Sequence, residues 1–560
     1  MPRLRSVLPK GSPRWAVRLA QWHALGLADE DLDKPKIAIV NSSSELAICY
    51  SHLDQIASRL KPIIRAAGGV PFEVRTTAPS DFITSVGGRG GYILSARDLI
   101  SFDIEAMVEG AFLDGMICLS SCDKTLPGHL MAAARLNIPT LILACGYQPS
   151  GCCRGEPVDI EEVFVSAVHH VLDETDEGRD WLAECAREAI GGPGVCSGLG
   201  TANTMHMVAE ALGMTLFGTT PVQANSARMW KTVERAGRRV VEMVQEDLRP
   251  SRILSPGAFR NAATLLLATG GSLNAVKHLQ AIAKAGRIDV DIFDLLGDLY
   301  DRVPLLVEVR PNGPTSIEEL EQAGGAAECL RRLASMLDLG ALTVEGEPLG
   351  ALLERSGADQ TSSCIASLEA PVRRQSTLMP VRGTLAPRGA LVRSTAWVQE
   401  RSGEPFRGRA VVFHDQDRVV DAVRNGRIQP GTVVVLRGIG PRGQPGMGMA
   451  SFAAFALARP ELVDHVALVT DGQISGLVNQ GLVVAEVTPE AVSPDSPLGR
   501  VQDGDEIVVD LSARRVDLLV DEATLRRREP YQGPESLPDG WLGVYARLAT
   551  DLRKGNIVEP

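Results

Sequence analysis

The residues best suited to chemistry in this chain stand together in Ser121-Cys122-Asp123-Lys124-Thr125-Leu126-Pro127-Gly128. A thiolate is a soft ligand that selects iron–sulfur clusters or zinc, whereas a carboxylate selects hard cations such as magnesium or manganese. Both kinds of ligand beside an amine point to two different metals in one site. An apolar run at 114–119 leads in and a helical pattern at 129–136 leads out, which reads as strand, tight turn and helix with the reactive trio on the turn. Ligands of α/β sheets collect at the carboxyl ends of strands. Taken alone, the stretch reads equally well as an exposed turn that happens to carry Cys, Asp and Lys.

Two more cysteines share that setting, a polar or glycine-rich turn after an apolar run. Cys49 follows the run 36–40 through Asn41-Ser42-Ser43-Ser44, and Cys196 sits in Gly194-Val195-Cys196-Ser197-Gly198 ahead of a helix predicted from about Ala202. Glycine lets backbone approach a ligand closely, and a helix N-terminus stabilises a thiolate. The other seven (Cys118, Cys145, Cys152, Cys153, Cys185, Cys329 and Cys364) read as small buried hydrophobes or idle thiols. No Cys-x-x-Cys pair supports a zinc ribbon or a ferredoxin-type cluster. Ten scattered cysteines are not expected to form a disulfide framework, and they suit a reducing cytoplasm.

These turns must be held by a large scaffold. A length of 560 residues calls for at least two cores. A net charge of −12 and only 4% aromatic residues exclude a basic nucleic-acid or membrane-binding face and a base-stacking platform. No uncharged apolar run is long enough to span a membrane, and the basic residues 1–10 lack an apolar signal core. The chain is therefore expected in the cytoplasm.

The pattern predicts an amphipathic helix over 13–33, a buried strand over 36–40, a helix over 52–67 and a strand over 71–76. A loop with Gly87, Gly88, Gly90 and Gly91 follows; without a GK[ST] sequence it reads as a substrate loop rather than a phosphate cradle. A helix over 96–110 and a strand over 137–144 come next, and the charged helical segment 157–190 reads as a solvated outer face. After a turn-rich stretch at 342–380 the texture changes to short β runs separated by Gly and Pro turns. The expected architecture is an α/β domain with a parallel sheet over 1–365 and a β-rich, barrel-like domain over 366–560.

Beyond these local signals, the chain resembles the dihydroxy-acid dehydratase / phosphogluconate dehydratase family, which includes the sugar-acid dehydratases, from about Pro13 to Leu552. The resembling pieces include Cys122-Asp123-Lys124…Pro127-Gly128, Gly194-Val195-Cys196…Thr201-Ala202-Asn203-Thr204-Met205 and Gly270-Gly271-Ser272…Asn274-Ala275…His278-Leu279. In the second half they are Leu385-Ala386-Pro387, Gly440-Pro441…Gly443…Pro445-Gly446-Met447, Thr470-Asp471-Gly472…Ser475-Gly476 and Asp503-Gly504-Asp505-Glu506-Ile507. The resemblance implies an iron–sulfur cluster, 2Fe-2S in preference to 4Fe-4S, on Cys49, Cys122 and Cys196. It implies magnesium on Asp81, Asp123 and a carbamylated Lys124, and a serine base at Ser475. It further implies a site in the cleft between the domains, a small dihydroxy acid as substrate, and a homodimer or homotetramer. A carbamate requires a lysine whose pKa is pulled down far enough to react as the amine.

The chain departs from that pattern on its site loops. Met449 stands where the family carries a magnesium-binding glutamate, and a thioether is a poor ligand for magnesium. The family's Ser-Asp-Gly is Ser80-Asp81-Phe82, its Pro-Cys-Asn is Ile48-Cys49-Tyr50, its Gly-Asn-Leu-Ala-Pro is Gly383-Thr384-Leu385-Ala386-Pro387, and its Gly-Gly-Pro-Met is Cys145-Gly146-Tyr147-Gln148. The reading is a divergent hydro-lyase on a 2,3-dihydroxy carboxylate, branched-chain or aldonic. A homologue that has lost its metal, and an α/β enzyme whose cysteines only pack, are the alternatives.

Overall fold

A strand covered on both faces reads as an unbroken apolar run, and three such runs form three of the four strands of the first sheet. In the computed structural model, which describes residues 4–85, 89–173, 175–356, 364–394 and 404–559, β1 (Lys36–Asn41), β3 (Gly115–Ser120) and β4 (Thr140–Ala144) are buried throughout. With β2 (Val70–Arg75) they make a four-stranded parallel sheet in the order β2-β1-β3-β4. Gly87 and Gly88 of the glycine-rich loop, and residues 1–3 of the basic N-terminus, lie outside the described residues.

The helices around this sheet differ in places from the sequence pattern. The first, α1 (Pro13–Ala24), stops well before residue 33, because Gly26 turns the chain at φ +85° and a short 3-10 turn, Asp29–Asp33, follows. Next come α2 (Leu53–Ala66), the single-turn α3 (Asp81–Thr84) and α4 (Gly91–Ile104). The fourth starts earlier than its pattern predicts and runs on into a π turn, Glu105–Glu109. Helix α5 (Thr125–Leu136) packs on β3, β4 and α4.

Two expectations are overturned in the segment after β4. The short hairpin β5 (Gly151–Cys153) and β6 (Glu156–Val158) leads into α6 (Ile160–Asp173) and α7 (Asp176–Glu188). The segment is not simply a solvated outer face, for Glu161 is buried and Phe164 half-buried on α6. Nor are all the remaining cysteines idle: Cys153 and Cys185 form a disulfide, with Cα atoms 5.3 Å apart. The hairpin lies against α7 and closes a small core of its own with Val158, Val163 and Ala189. Thirty-two residues separate the two cysteines, so neither local pattern could reveal the pairing.

Helices α8 (Thr201–Ala211) and α9 (Ala227–Glu246) follow, the latter packing on α2, β3 and β4. The chain then turns to the second sheet: β7 (Leu378–Val381), β8 (Gly389–Ser394), β9 (Phe406–Phe413), β10 (Thr432–Leu436), β11 (Ala467–Thr470), β12 (Leu482–Thr488), β13 (Glu506–Asp510) and β14 (Arg515–Leu518). Their order is β14-β13-β9-β10-β11-β12-β8-β7, parallel from β9 to β12 and antiparallel at both ends. A bridge between Arg382, just past β7, and Arg515 on β14 joins the outer strands, so the mixed sheet is a nearly closed barrel. Closure removes the exposed edges that an open sheet presents to other chains.

Candidate active site

The turn after β3 is braced by its own polar groups. The Ser121 N–H donates to Thr125 Oγ1 at 3.0 Å, and Thr125 Oγ1 donates to the Cys122 carbonyl at 2.9 Å. The Ser121 hydroxyl donates to the Cys49 carbonyl, which brings the end of the β1 loop against this turn. Tyr50, fully buried, donates its phenol to the Pro79 carbonyl at 2.9 Å and ties the same loop to the segment that carries Asp81. Four hydrogen bonds thus gather three chain segments.

Their side chains form the polar end of one cavity of about 470 Å³, lined by Asp81, Cys122, Asp123, Lys124 and Cys196 from the first half and by Met449 and Ser475 from the second. Cys49 stands behind the lining, its thiol hydrogen-bonded to Cys122. The cleft crosses the seam between the two sheets, where backbones meet at glycines. A Cβ on Gly91 would fall 2.1 Å from the Pro445 carbonyl oxygen, and one on Gly446 would fall 2.0 Å from that of Gly91.

Charge within the cavity is strongly coupled. Lys124 Nζ is 3.4 Å from Asp81 Oδ2 and 3.5 Å from Asp123 Oδ2, and its side chain is buried. Burial pulls the lysine down, but the two carboxylates outweigh it and hold Lys124 above its ordinary value. The lowered pKa expected for a lysine that forms a carbamate is therefore not found; the ammonium lies between two carboxylates. Burial, opposed by Lys124 and reinforced by Asp123, pushes Asp81 up to about 7. Hydrogen bonding to Cys49, then burial, holds the Cys122 thiol well above the ordinary range, and burial followed by Glu161 does the same for Cys196.

The donor set suits the two groups that the resemblance implies. Three sulfurs on neighbouring loops match a soft cluster, and Asp81 has a buried Oδ1 without a partner, the kind of oxygen a hard cation takes. Among the described residues no three or more His, Cys, Asp or Glu side chains already stand in a finished coordination shell. Only two carboxylates are present on the magnesium side, and an unmodified Lys124 donates where an acceptor is needed.

Ser475 follows β11 on a loop held from several sides. Its N–H donates to Ser451 Oγ at 2.8 Å, and its hydroxyl oxygen accepts the Leu477 N–H at 3.2 Å. Asn274 donates to the Ile474 carbonyl and to Thr201 Oγ1, both at 3.1 Å. Behind Asn274, the buried Lys277 donates to Asn274 Oδ1 and to Glu486 Oε1, each at 2.5 Å. Met449 pairs through its backbone with Gln473, and its side chain reaches toward Gly90. The preceding Met447 holds a left-handed φ of +74°.

Sequence reasoning missed Glu161, Gln473 and Lys277. Glu161 accepts the Gly198 N–H, yet its Oε1 has no partner, and burial raises its carboxyl well above the carboxylate range. A Cβ on Gly198 would fall 1.9 Å from Glu161 Oε2, so only glycine admits this approach. Gln473 likewise lines the cavity with a buried, unpartnered amide nitrogen. Lys277 stands among other polar residues, Asn274, His278 and Gln280, in a helix (Asn274–Ala285) whose pattern gives no local sign that this cation is buried.

A parallel α/β sheet and a near-closed barrel share a cleft lined with thiols, carboxylates and a serine, the side chains of an enzyme site. Residues 34–352 match the family model described as dihydroxy-acid/6-phosphogluconate dehydratase N-terminal, and residues 363–556 match its C-terminal counterpart. Proteins called dihydroxy-acid dehydratase are similar over nearly the whole length. The one from Methanothrix thermoacetophila is 37% identical, covering 99% of this chain and 100% of its own. Those from Ignicoccus hospitalis and Pyrococcus abyssi are each 38% identical, covering 98% of this chain and 98% and 99% of theirs. The chain belongs to the dihydroxy-acid/6-phosphogluconate dehydratase family and is a hydro-lyase.

Proposed function

We propose that this enzyme removes water from a 2,3-dihydroxy carboxylic acid and yields a 2-keto-3-deoxy acid. The observation that carries the reading is the convergence of Asp81, Cys122, Asp123, Lys124, Cys196 and Ser475 on one cleft. Cys49, Cys122 and Cys196 would hold an iron–sulfur cluster, 2Fe-2S in preference to 4Fe-4S, and Asp81, Asp123 and a carbamylated Lys124 would hold magnesium. When bound, these groups supply two Lewis acids, one for the leaving hydroxyl and one for the substrate carboxylate and C2 oxygen. Ser475 Oγ takes the C2 proton as general base, and the Leu477 N–H that points at this oxygen stabilises its anionic form. The C2–H electrons form C2=C3 as the C3–O bond breaks, and the departing hydroxide takes the proton back from Ser475 Oγ, which leaves water and restores the base. The enol then tautomerises to the ketone. The chain works as a homodimer or homotetramer in the cytoplasm, with its domain boundary near residue 365.

Anaerobic purification with iron and sulfide analysis, visible and EPR spectra, and keto-acid assays tests this reading. The wild type is expected to hold the cluster and Cys196→Ser to lose it; wild-type protein free of iron after reconstitution would sink the assignment. Because the Cys122 and Cys196 thiols sit well above their ordinary range, loading must expel protons. Iron uptake at equilibrium is therefore expected to weaken as pH falls, measured by chelator competition.

Met449 favours one second reading, a cluster protein with a disabled magnesium site. Met449→Glu separates the two. If the cation is held by three protein groups and water, restoring a carboxylate should tighten magnesium by about ten-fold or more, roughly 1.4 kcal/mol. Calorimetric titration in bicarbonate reads this. Magnesium bound only by the variant would favour the second reading.

A further inference from the structure

Four apolar side chains, two of them departures from the family pattern, lie in one wall of the cavity. Phe82 stands where the resembling family has glycine, and its ring centroid is 5.2 Å from that of Phe164 on α6. Phe164 in turn meets Phe452 at 5.3 Å and Phe455 at 5.6 Å, both on the helix Ser451–Leu457. Phe455 is buried behind, whereas Phe82, Phe164 and Phe452 line the cavity and stay half-buried. Met449 extends the apolar lining where a carboxylate is expected. Exposed ring surface within a concave site is apolar area that a ligand can cover.

The wall has a direction. Glu161 and Phe164 are three residues apart and so neighbours on one face of α6, and Glu161 contacts the Gly198 turn beside Cys196. Phe164 therefore lies near the Cys196 turn, whereas Phe82 directly follows Asp81 and Met449 stands at the expected magnesium position, so the apolar wall runs along the cavity from one end to the other. Among the described residues lining the cavity there is no arginine and Lys124 is the cationic side chain, so a second phosphate-bearing end has no fork to hold it. The cavity of about 470 Å³ is room to be shared between the acid, short or long, and the inorganic groups. Cavities of roughly 300–1,000 Å³ hold much larger organic molecules.

We propose that the substrate is a 2,3-dihydroxy acid bearing a bulky apolar group, aryl or long alkyl, on C3, covered by Phe82, Phe164, Phe452 and Met449. This rests on the dehydratase reading above and selects within it against short branched-chain acids and aldonates.

The test uses the full chain, reconstituted anaerobically with iron, sulfide and magnesium. It compares 2,3-dihydroxy-3-phenylpropanoate, 2,3-dihydroxy-3-methylbutanoate and gluconate for keto-acid formation. In parallel, calorimetry compares 3-phenyllactate with lactate, neither of which has a C3 hydroxyl to lose. The phenyl acid should lead by about ten-fold or more in kcat/KM, within the roughly 10–200-fold that one methylene in an apolar pocket can give. Phe82→Gly, which installs the family's own residue, should erase that lead mainly through KM with an unchanged melting point. Phe164→Leu serves as the second variant should Phe82→Gly fold poorly. Preference for the methyl acid or gluconate, unaltered by either variant, overturns the inference and leaves the dehydratase reading standing. If no acid is dehydrated, binding decides. Phenyllactate held at least about ten-fold tighter than lactate, with the gain lost in the variants, upholds the apolar wall while the dehydratase reading falls; equal binding overturns the wall as well.

Discussion

Ser475→Ala is expected to lower kcat for keto-acid formation by about 10²–10⁴-fold, the usual worth of a positioned general base. KM should change little, because the hydroxyl acts on the C2 proton and the acid's carboxylate binds elsewhere in the cleft. The fold should survive. The change strips the Leu477 N–H of its acceptor, at a cost of about 0.5–1.5 kcal/mol, while the Ser475 N–H keeps its bond to Ser451. Iron content and the cluster spectrum should match wild type, which separates a lost base from a lost site. Exchange of the C2 hydrogen with deuterated solvent gives a second readout and should stop in the variant. Activity within about three-fold of wild type, a barrier change of well under 1 kcal/mol, would move the role of base to another residue.

The largest stability effect is expected at Lys277→Met. Its ammonium and the Glu486 carboxylate are fully buried against each other, and Glu486 Oε2 has no other partner. Removing the cation strands a carboxylate in the interior, which costs about 3–5 kcal/mol. A domain's whole margin is only about 5–15 kcal/mol, so a marked fall in melting temperature and in half-life at elevated temperature should follow. Adding Glu486→Gln should recover most of the loss, because the orphaned charge is then gone. Activity should fall alongside stability, since Lys277 fixes Asn274, whose amide holds the Ile474 carbonyl beside Ser475. A single variant as stable as wild type would mean that solvent reaches the pair.

Much of this was already legible along the chain. Strands β1, β3 and β4 announced themselves because parallel strands buried on both faces demand unbroken apolar runs. The Cys122-Asp123-Lys124 turn could be located because ligands collect where a strand ends before a helix, and the family resemblance decided between a site and an idle turn. Short β runs with Gly and Pro punctuation marked the barrel, though nothing local could show that Arg382 and Arg515 nearly close it. Helix ends were less legible: α1 stops at Ala24 and α4 starts at Gly91 because glycine placement and docking, not periodicity, set those limits.

Sequence by itself determined the family, the order of the elements and the cysteines, carboxylates and serine with which to build a site. Only the tertiary structure decided that Cys153 meets Cys185, that Glu161 turns inward from a charged helix, and that Lys277 supports the Ser475 loop. It alone set Phe82, Phe164, Phe452 and Met449 along one wall. The physical reason is one of range. Periodicity and turn chemistry act over a few residues and are written locally, whereas a buried charge, a disulfide or an apolar wall is fixed by partners brought together from distant parts of the chain.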